Sequence, residues 1–226
     1  MVVRERLTIY YRAMLERLGE SRWWPGDSPF EVAVGAILVQ NTAWGNVEKA
    51  MARLKASCSL TPRSVWRLSD DTLRECLRPS GFFRLKAERL RALLECFART
   101  AGDNEPPDDP TLGFLAGIDD EAMRRTLLQV KGVGQETADS ILLYALNRPS
   151  FTADAYTRRI FGRHGLLPEN ASYEVMREFF MEHLPVDTKL FNEYHALIVR
   201  TGHTWCKKRN PLCDDCPLGA YREEGR

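Results

Sequence analysis

The chain has 226 residues, 44% of them hydrophobic and 28% charged, and its 32 basic and 31 acidic side chains leave a net charge of +1. That composition excludes a disordered chain and a uniformly basic nucleic-acid binder, so any DNA footprint must be a local patch. No apolar run approaches the roughly 18 residues of a membrane span, and charges at Arg4, Glu5 and Arg6 interrupt what would be the apolar core of a signal peptide, so a cytoplasmic protein is expected.

Apolar residues recur with a helical period through almost every segment, and no stretch alternates as a half-buried strand would, which predicts an all-α fold. Helices are expected at 3–18, 29–39, 45–57, 62–67, 70–77, 84–100, 111–116, 119–129, 135–146, 155–164, 172–182 and 187–201. Ser28 followed by Glu31 is a capping-box signature for the second. Leu90, Leu93, Leu94 and Phe97 share one face of the sixth, Met123, Leu127 and Val130 form another stripe, and Leu190, Tyr194, Leu197 and Ile198 a third. Breakers separate these runs at Trp24-Pro25-Gly26-Asp27, Gly102 to Pro110, Asn147 to Ser150 and Leu167 to Asn170.

Four groups of residues carry chemistry. Trp23-Trp24 and Trp44 are indoles that serve either as core anchors or as the walls of a pocket, and a tryptophan face attracts a cationic base by about 0.5–2 kcal/mol. Lys131-Gly132-Val133-Gly134 is a tight turn between two helices, with glycines that let backbone N–H groups approach a phosphate. Asp154, eighteen residues past Glu136, stands at a loop-to-helix junction, where a carboxylate caps a helix. Cys206, Cys213 and Cys216 fall within eleven residues and suggest a metal, whereas Cys58, Cys76 and Cys96 read as core thiols.

The segment from Val130 to Ala138, followed by Asp154, resembles the helix-hairpin-helix DNA glycosylases of the endonuclease III superfamily. With Trp23, Trp24 and Trp44 it looks closest to the 3-methyladenine DNA glycosylase III branch. The resemblance implies a six-helix barrel with the hairpin over 27–134, and a discontinuous second helical domain from 1–26 and 135–226. It places the catalytic carboxylate on Asp154 and the lyase lysine on Glu136, a glutamate that cannot form a Schiff base. A monofunctional base-excision-repair enzyme for alkylated purines in double-stranded DNA, acting as a monomer, is therefore expected, with Glu136 assisting Asp154. The alternatives are an endonuclease III-like glycosylase and lyase for oxidised pyrimidines, and a non-catalytic DNA-binding scaffold.

By the same resemblance, Gln40 plugs the gap left by an extruded base and Phe82 wedges into the duplex. The backbone of Gly132 and Gly134 would hold phosphate, helped by Lys131, Arg158, Arg159, Lys207, Lys208 and Arg209. The cysteine spacing matches three of the four ligands of the superfamily's [4Fe-4S] loop, and Arg222 stands where the fourth is expected. A cluster with another fourth ligand, a smaller cluster, a metal-free loop, or zinc held with His203 all remain open.

Overall fold

The computed structural model describes residues 2–21 and 23–222. In chain order its helices are α1 (Val3–Leu18), α2 (Pro29–Leu38), α3 (Trp44–Ser57), α4 (Pro62–Trp66), α5 (Asp70–Leu77), α6 (Phe83–Ala101), α7 (Asp120–Leu128), α8 (Gln135–Ser140), α9 (Ala155–Arg163), α10 (Tyr173–His183) and α11 (Thr188–Thr204). Among the described residues there is no strand, and no helix is long and apolar enough to cross a membrane.

The helix starts follow side-chain chemistry. Ser69, Asp119, Ser172 and Asp187 each accept a backbone N–H from the first turn of the helix they precede, an arrangement that contributes about 1 kcal/mol per cap. Ser28 caps α2 in the same way, with Pro29 as its first residue. The expected reciprocal bond differs, because the Glu31 carboxylate receives the Asp27 N–H and also pairs with Lys55 at 2.6 Å. Two expected helices change character. The segment 111–116 keeps only a 3-10 turn at Gly113–Leu115, since Asp109 draws in the N–H groups of Thr111 and Gly113. The run 135–146 is α-helical to Ser140 and then widens to a π-helical turn over Ile141–Ala145, a form often found beside functional sites.

Two packed units emerge, Pro25–Arg148 and Met1–Trp24 with Pro149–Arg226, and α8 falls within the first. In the first, α2 is the central element: every residue from Phe30 to Leu38 is buried, as expected for a helix apolar all round. It packs against α3, α6, α8 and the π turn. Leu90, Leu93, Leu94 and Phe97 of α6 are fully buried, each contributing about 1.5–3 kcal/mol of transfer free energy. The second unit is built on aromatics. Phe151 stacks on Phe180 with centroids 4.0 Å apart, and Phe161, Phe191 and Tyr194 meet them edge-on. The Tyr194 hydroxyl donates to the Leu7 carbonyl at 2.8 Å and ties α11 to α1.

Candidate active site and nucleic-acid interface

The hairpin is the best-defined feature of the Pro25–Arg148 unit. Val133 is buried between the exposed residues Lys131, Gly132, Gly134, Gln135 and Glu136, so one apolar side chain anchors a turn whose backbone faces outward. Gly132 has φ +86°, and a Cβ there would collide with the Arg89 side chain. Gly134 is extended, stands at the N-cap of α8 and has open space where a Cβ would be. The first glycine is thus required by backbone conformation, while the second leaves room for an approaching group.

Gln40 is tied into this turn. Its amide nitrogen donates to the Gly132 carbonyl at 3.2 Å and the Thr137 hydroxyl at 2.8 Å, and its oxygen accepts from Arg89. Phe82 is 68% exposed with φ +45°. A left-handed backbone at an L residue costs about 1–2 kcal/mol, and an exposed ring recovers nothing by burial. Lys86 runs the other way: it is 1% exposed, and its ammonium donates to the Leu38 carbonyl at 2.7 Å and the Ser80 carbonyl at 2.6 Å. Burial, reinforced by the Arg89 charge, pushes it down to about 8. An amine enclosed in this way is not placed to attack a sugar. Glu136 is exposed in the first turn of α8, where the helix dipole favours a negative charge.

Asp154 belongs to the other unit, at the N-cap of α9. Its Oδ1 accepts the Thr157 N–H at 2.8 Å and the Thr157 hydroxyl at 3.0 Å, and the Thr157 hydroxyl oxygen accepts the Asp154 N–H at 3.2 Å. Its Oδ2 lies 3.8 Å from Nε2 of His195, a buried residue of α11. Burial pushes the His195 imidazole down and Asp154 opposes that shift. One carboxylate oxygen therefore holds the helix start, and the other is set against an imidazole. His195 was absent from the sequence-derived site. The available signal was a histidine inside the apolar stripe of α11, next to Tyr194.

The indoles divide between the units. Trp23 and Trp24, both half-buried, meet edge-on with centroids 5.4 Å apart. Trp44 lines a hollow of about 300 Å³ in the Pro25–Arg148 unit together with Val47, Met51 and Lys55.

Cys206, Cys213 and Cys216 line one cavity of about 590 Å³ that also has Arg163, His164, Trp205 and Arg222 in its wall. The Cys216 thiol is pushed up by burial and further by the neighbouring Cys206 and Cys213 sulphurs. Arg163 reaches Cys206 Sγ at 3.2 Å and the Lys207 and Lys208 carbonyls at 2.8 and 3.0 Å. Arg159 donates to the Cys206 carbonyl at 2.6 Å, and a Cβ on Gly219 would strike the Cys213 carbonyl. The donors fit an iron-sulphur cluster in kind, as three soft thiols around one space, but are one short in number. Among the described residues no three potential ligands close into a metal-binding group. His203 is not among the residues that line this cavity. Arg159 donates to the Cys206 and Gly202 carbonyls and stacks at 4.9 Å on Tyr156, while Arg158, Lys207, Lys208 and Arg209 are exposed.

The family model described as "HhH-GPD superfamily base excision DNA repair protein" matches residues 34–186. The chain belongs to this superfamily. It is 43% identical over 213 residues to the "Putative DNA repair glycosylase MJ1434" of Methanocaldococcus jannaschii, covering 93% of both chains, and 28% identical over 202 residues to Endonuclease III of Thermotoga maritima, covering 88% of this chain and 86% of the relative. The fold matches a non-covalent Endonuclease III-DNA complex with TM-score 0.77 at 22% identity, over 100% of this chain and 97% of that one. It also matches H. pylori 3-methyladenine DNA glycosylase (MagIII) bound to 1,N6-ethenoadenine, with TM-score 0.71 at 24% identity over 90% and 98%. The expected all-helical HhH-GPD fold is thus the observed one.

Proposed function

We propose that this HhH-GPD glycosylase is monofunctional and hydrolyses the N-glycosidic bond of alkylated purines, of the 3-methyladenine type, in double-stranded DNA, acting as a monomer. The observation that carries the reading is the exposed carboxylate of Glu136 in the first turn of α8, where a lyase of this family needs an amine. Lys86, the amine nearest in sequence to the wedge residue, is enclosed. Without Schiff-base chemistry the bond must be broken by water. Asp154 is then the group that stabilises charge on the sugar and orients or deprotonates water, while Glu136 assists in positioning. A positively charged alkylated purine already has a weakened glycosidic bond, so leaving-group protonation contributes little. The indoles of Trp23, Trp24 and Trp44 would attract such a base by their π faces.

DNA would be held by the Gly132 and Gly134 backbone with Lys131, Arg158, Lys207 and Lys208 on phosphates. Phe82 would enter the stack and Gln40 fill the gap of the extruded nucleotide. The exposure of Phe82 supports this role. For Gln40 the same role means exchanging its bonds to Gly132 and Thr137 for bonds to the orphaned base. The test is base release from duplexes carrying 3-methyladenine, 7-methylguanine, 1,N6-ethenoadenine, thymine glycol or thymine opposite guanine. Release of the methylated purines foremost is expected. Preferential release of thymine glycol would replace this reading with the oxidised-pyrimidine one, and release of nothing would leave a DNA-binding scaffold.

Cys206, Cys213 and Cys216 are the residues that would hold an iron-sulphur cluster, whose contribution would be structural: stiffening the 207–212 loop that carries Lys207 and Lys208. Anaerobically purified protein should be brown and contain iron and acid-labile sulphide in equal amounts. A colourless, iron-free and fully active preparation would show that Arg163 and Arg159 hold the loop alone.

A further inference from the structure

The helix α6 carries two cations that join three segments of the Pro25–Arg148 unit. The Lys86 ammonium bridges the carbonyl of Leu38, the last residue of α2, and that of Ser80, two residues before Phe82. Arg89, one turn further on, holds Gln40, and its side chain fills the space over Gly132 in the hairpin turn. Burying an ammonium is costly, and it persists only where acceptors repay the lost water. Here one acceptor is an end carbonyl of α2 without a partner inside the helix, at its negative pole. Arg89 is the charged group that presses on Lys86. On the other side of the Ser80 bond the chain turns through Gly81, φ +67°, into the exposed, left-handed Phe82. A strained backbone presenting an aromatic ring to solvent needs support elsewhere, and the bend receives it from the Ser80 hydroxyl on the Leu77 carbonyl and, across a longer span, from Lys86 on the Ser80 carbonyl.

We propose that Lys86 is a positioning residue for base extrusion: it locks the bend carrying Phe82 to the end of α2 carrying Gln40, so that both side chains enter the duplex as one rigid unit. This rests on the proposed reading of Phe82 and Gln40 as the residues that probe the stack. Lys86→Met keeps length and apolar bulk but removes the donors, and Lys86→Gln keeps two N–H donors on a shorter arm. Extrusion is followed by stopped-flow fluorescence of a duplex with one 2-aminopurine beside the lesion, and undamaged-duplex affinity by titration.

Lys86→Met should slow extrusion about tenfold or more, as small misplacements of reacting groups do, and lower kcat with little change in undamaged-duplex affinity. Lys86→Gln should fall between it and the unsubstituted chain. Phe82→Ala should also slow extrusion, and Lys86→Met added to Phe82→Ala should slow it by clearly less than the product of the two single effects, because part of what Lys86→Met removes is the placement of the Phe82 ring that is already gone. The proposal is overturned if Lys86→Met extrudes at the unsubstituted rate, if its effect multiplies with that of Phe82→Ala, or if both Lys86 variants lose cooperative melting and duplex affinity together. If Phe82→Ala itself extrudes normally, the underlying reading of the wedge fails. A slow Phe82→Ala beside a normal Lys86→Met removes only the brace.

Discussion

Asp154→Asn should lower base release by about 10²–10⁴-fold while leaving affinity for lesion-bearing duplex almost unchanged. The expectation follows from the two jobs of the side chain. Oδ1 caps α9 through the Thr157 N–H and hydroxyl, and asparagine caps about as well as aspartate, so the helix start survives. What is lost is the negative charge that, on the proposed mechanism, faces the developing positive charge of the sugar. A 10²–10⁴-fold loss corresponds to about 2.7–5.5 kcal/mol of transition-state stabilisation. The neighbouring His195 does not cancel the native charge, because burial disfavours its cationic form. Single-turnover base release with a parallel binding titration checks the split. Equal losses of binding and release would reduce Asp154 to a cap, and an unimpaired variant would remove it from the chemistry.

Glu136→Lys should produce a covalent adduct with abasic DNA in borohydride, at least about tenfold above the background of the unsubstituted chain. Position 136 is exposed in the first turn of α8, so a longer side chain meets no core constraint. The positive end of the helix disfavours the ammonium by about 0.3–1 kcal/mol, a cost the fold tolerates and one that raises the fraction of free, nucleophilic amine. Gel electrophoresis after borohydride resolves the adduct from free protein. No adduct from the variant would mean that residue 136 lies outside reach of the sugar and that its identity says nothing about lyase chemistry.

The helices were legible because their signals are local. Spacing of Leu90, Leu93, Leu94 and Phe97 fixes a buried face whatever the partner, and Ser28, Ser69, Asp119, Ser172 and Asp187 mark helix starts by chemistry that needs only the next turn. The turn at Gly132 and the cap at Asp154 were legible for the same reason, and the roles proposed for them rest on the resemblance. Long-range pairings were not. Lys86 meets carbonyls 48 and 6 residues away, and Asp154 meets His195 across 41 positions. Spacing alone still held a clue, since Lys86 falls four and seven residues before Leu90 and Leu93 and so lies on the apolar face of α6. A cation there must be exposed on a frayed edge or paired inside, and the structure takes the second course. Arg159 shows the other side of this, because its bonds to the Cys206 and Gly202 carbonyls are long-range and invisible in the local sequence.

The central claim is that water, not an amine of the protein, takes the place of the departing base. Its most direct test is to incubate the unsubstituted chain with an end-labelled duplex carrying one 3-methyladenine analogue and to compare strand length before and after alkali. The account predicts free base in solution, a full-length strand until alkali is added, and cleavage at the lesion afterwards. Strand breaks appearing without alkali, in step with base release, would contradict it.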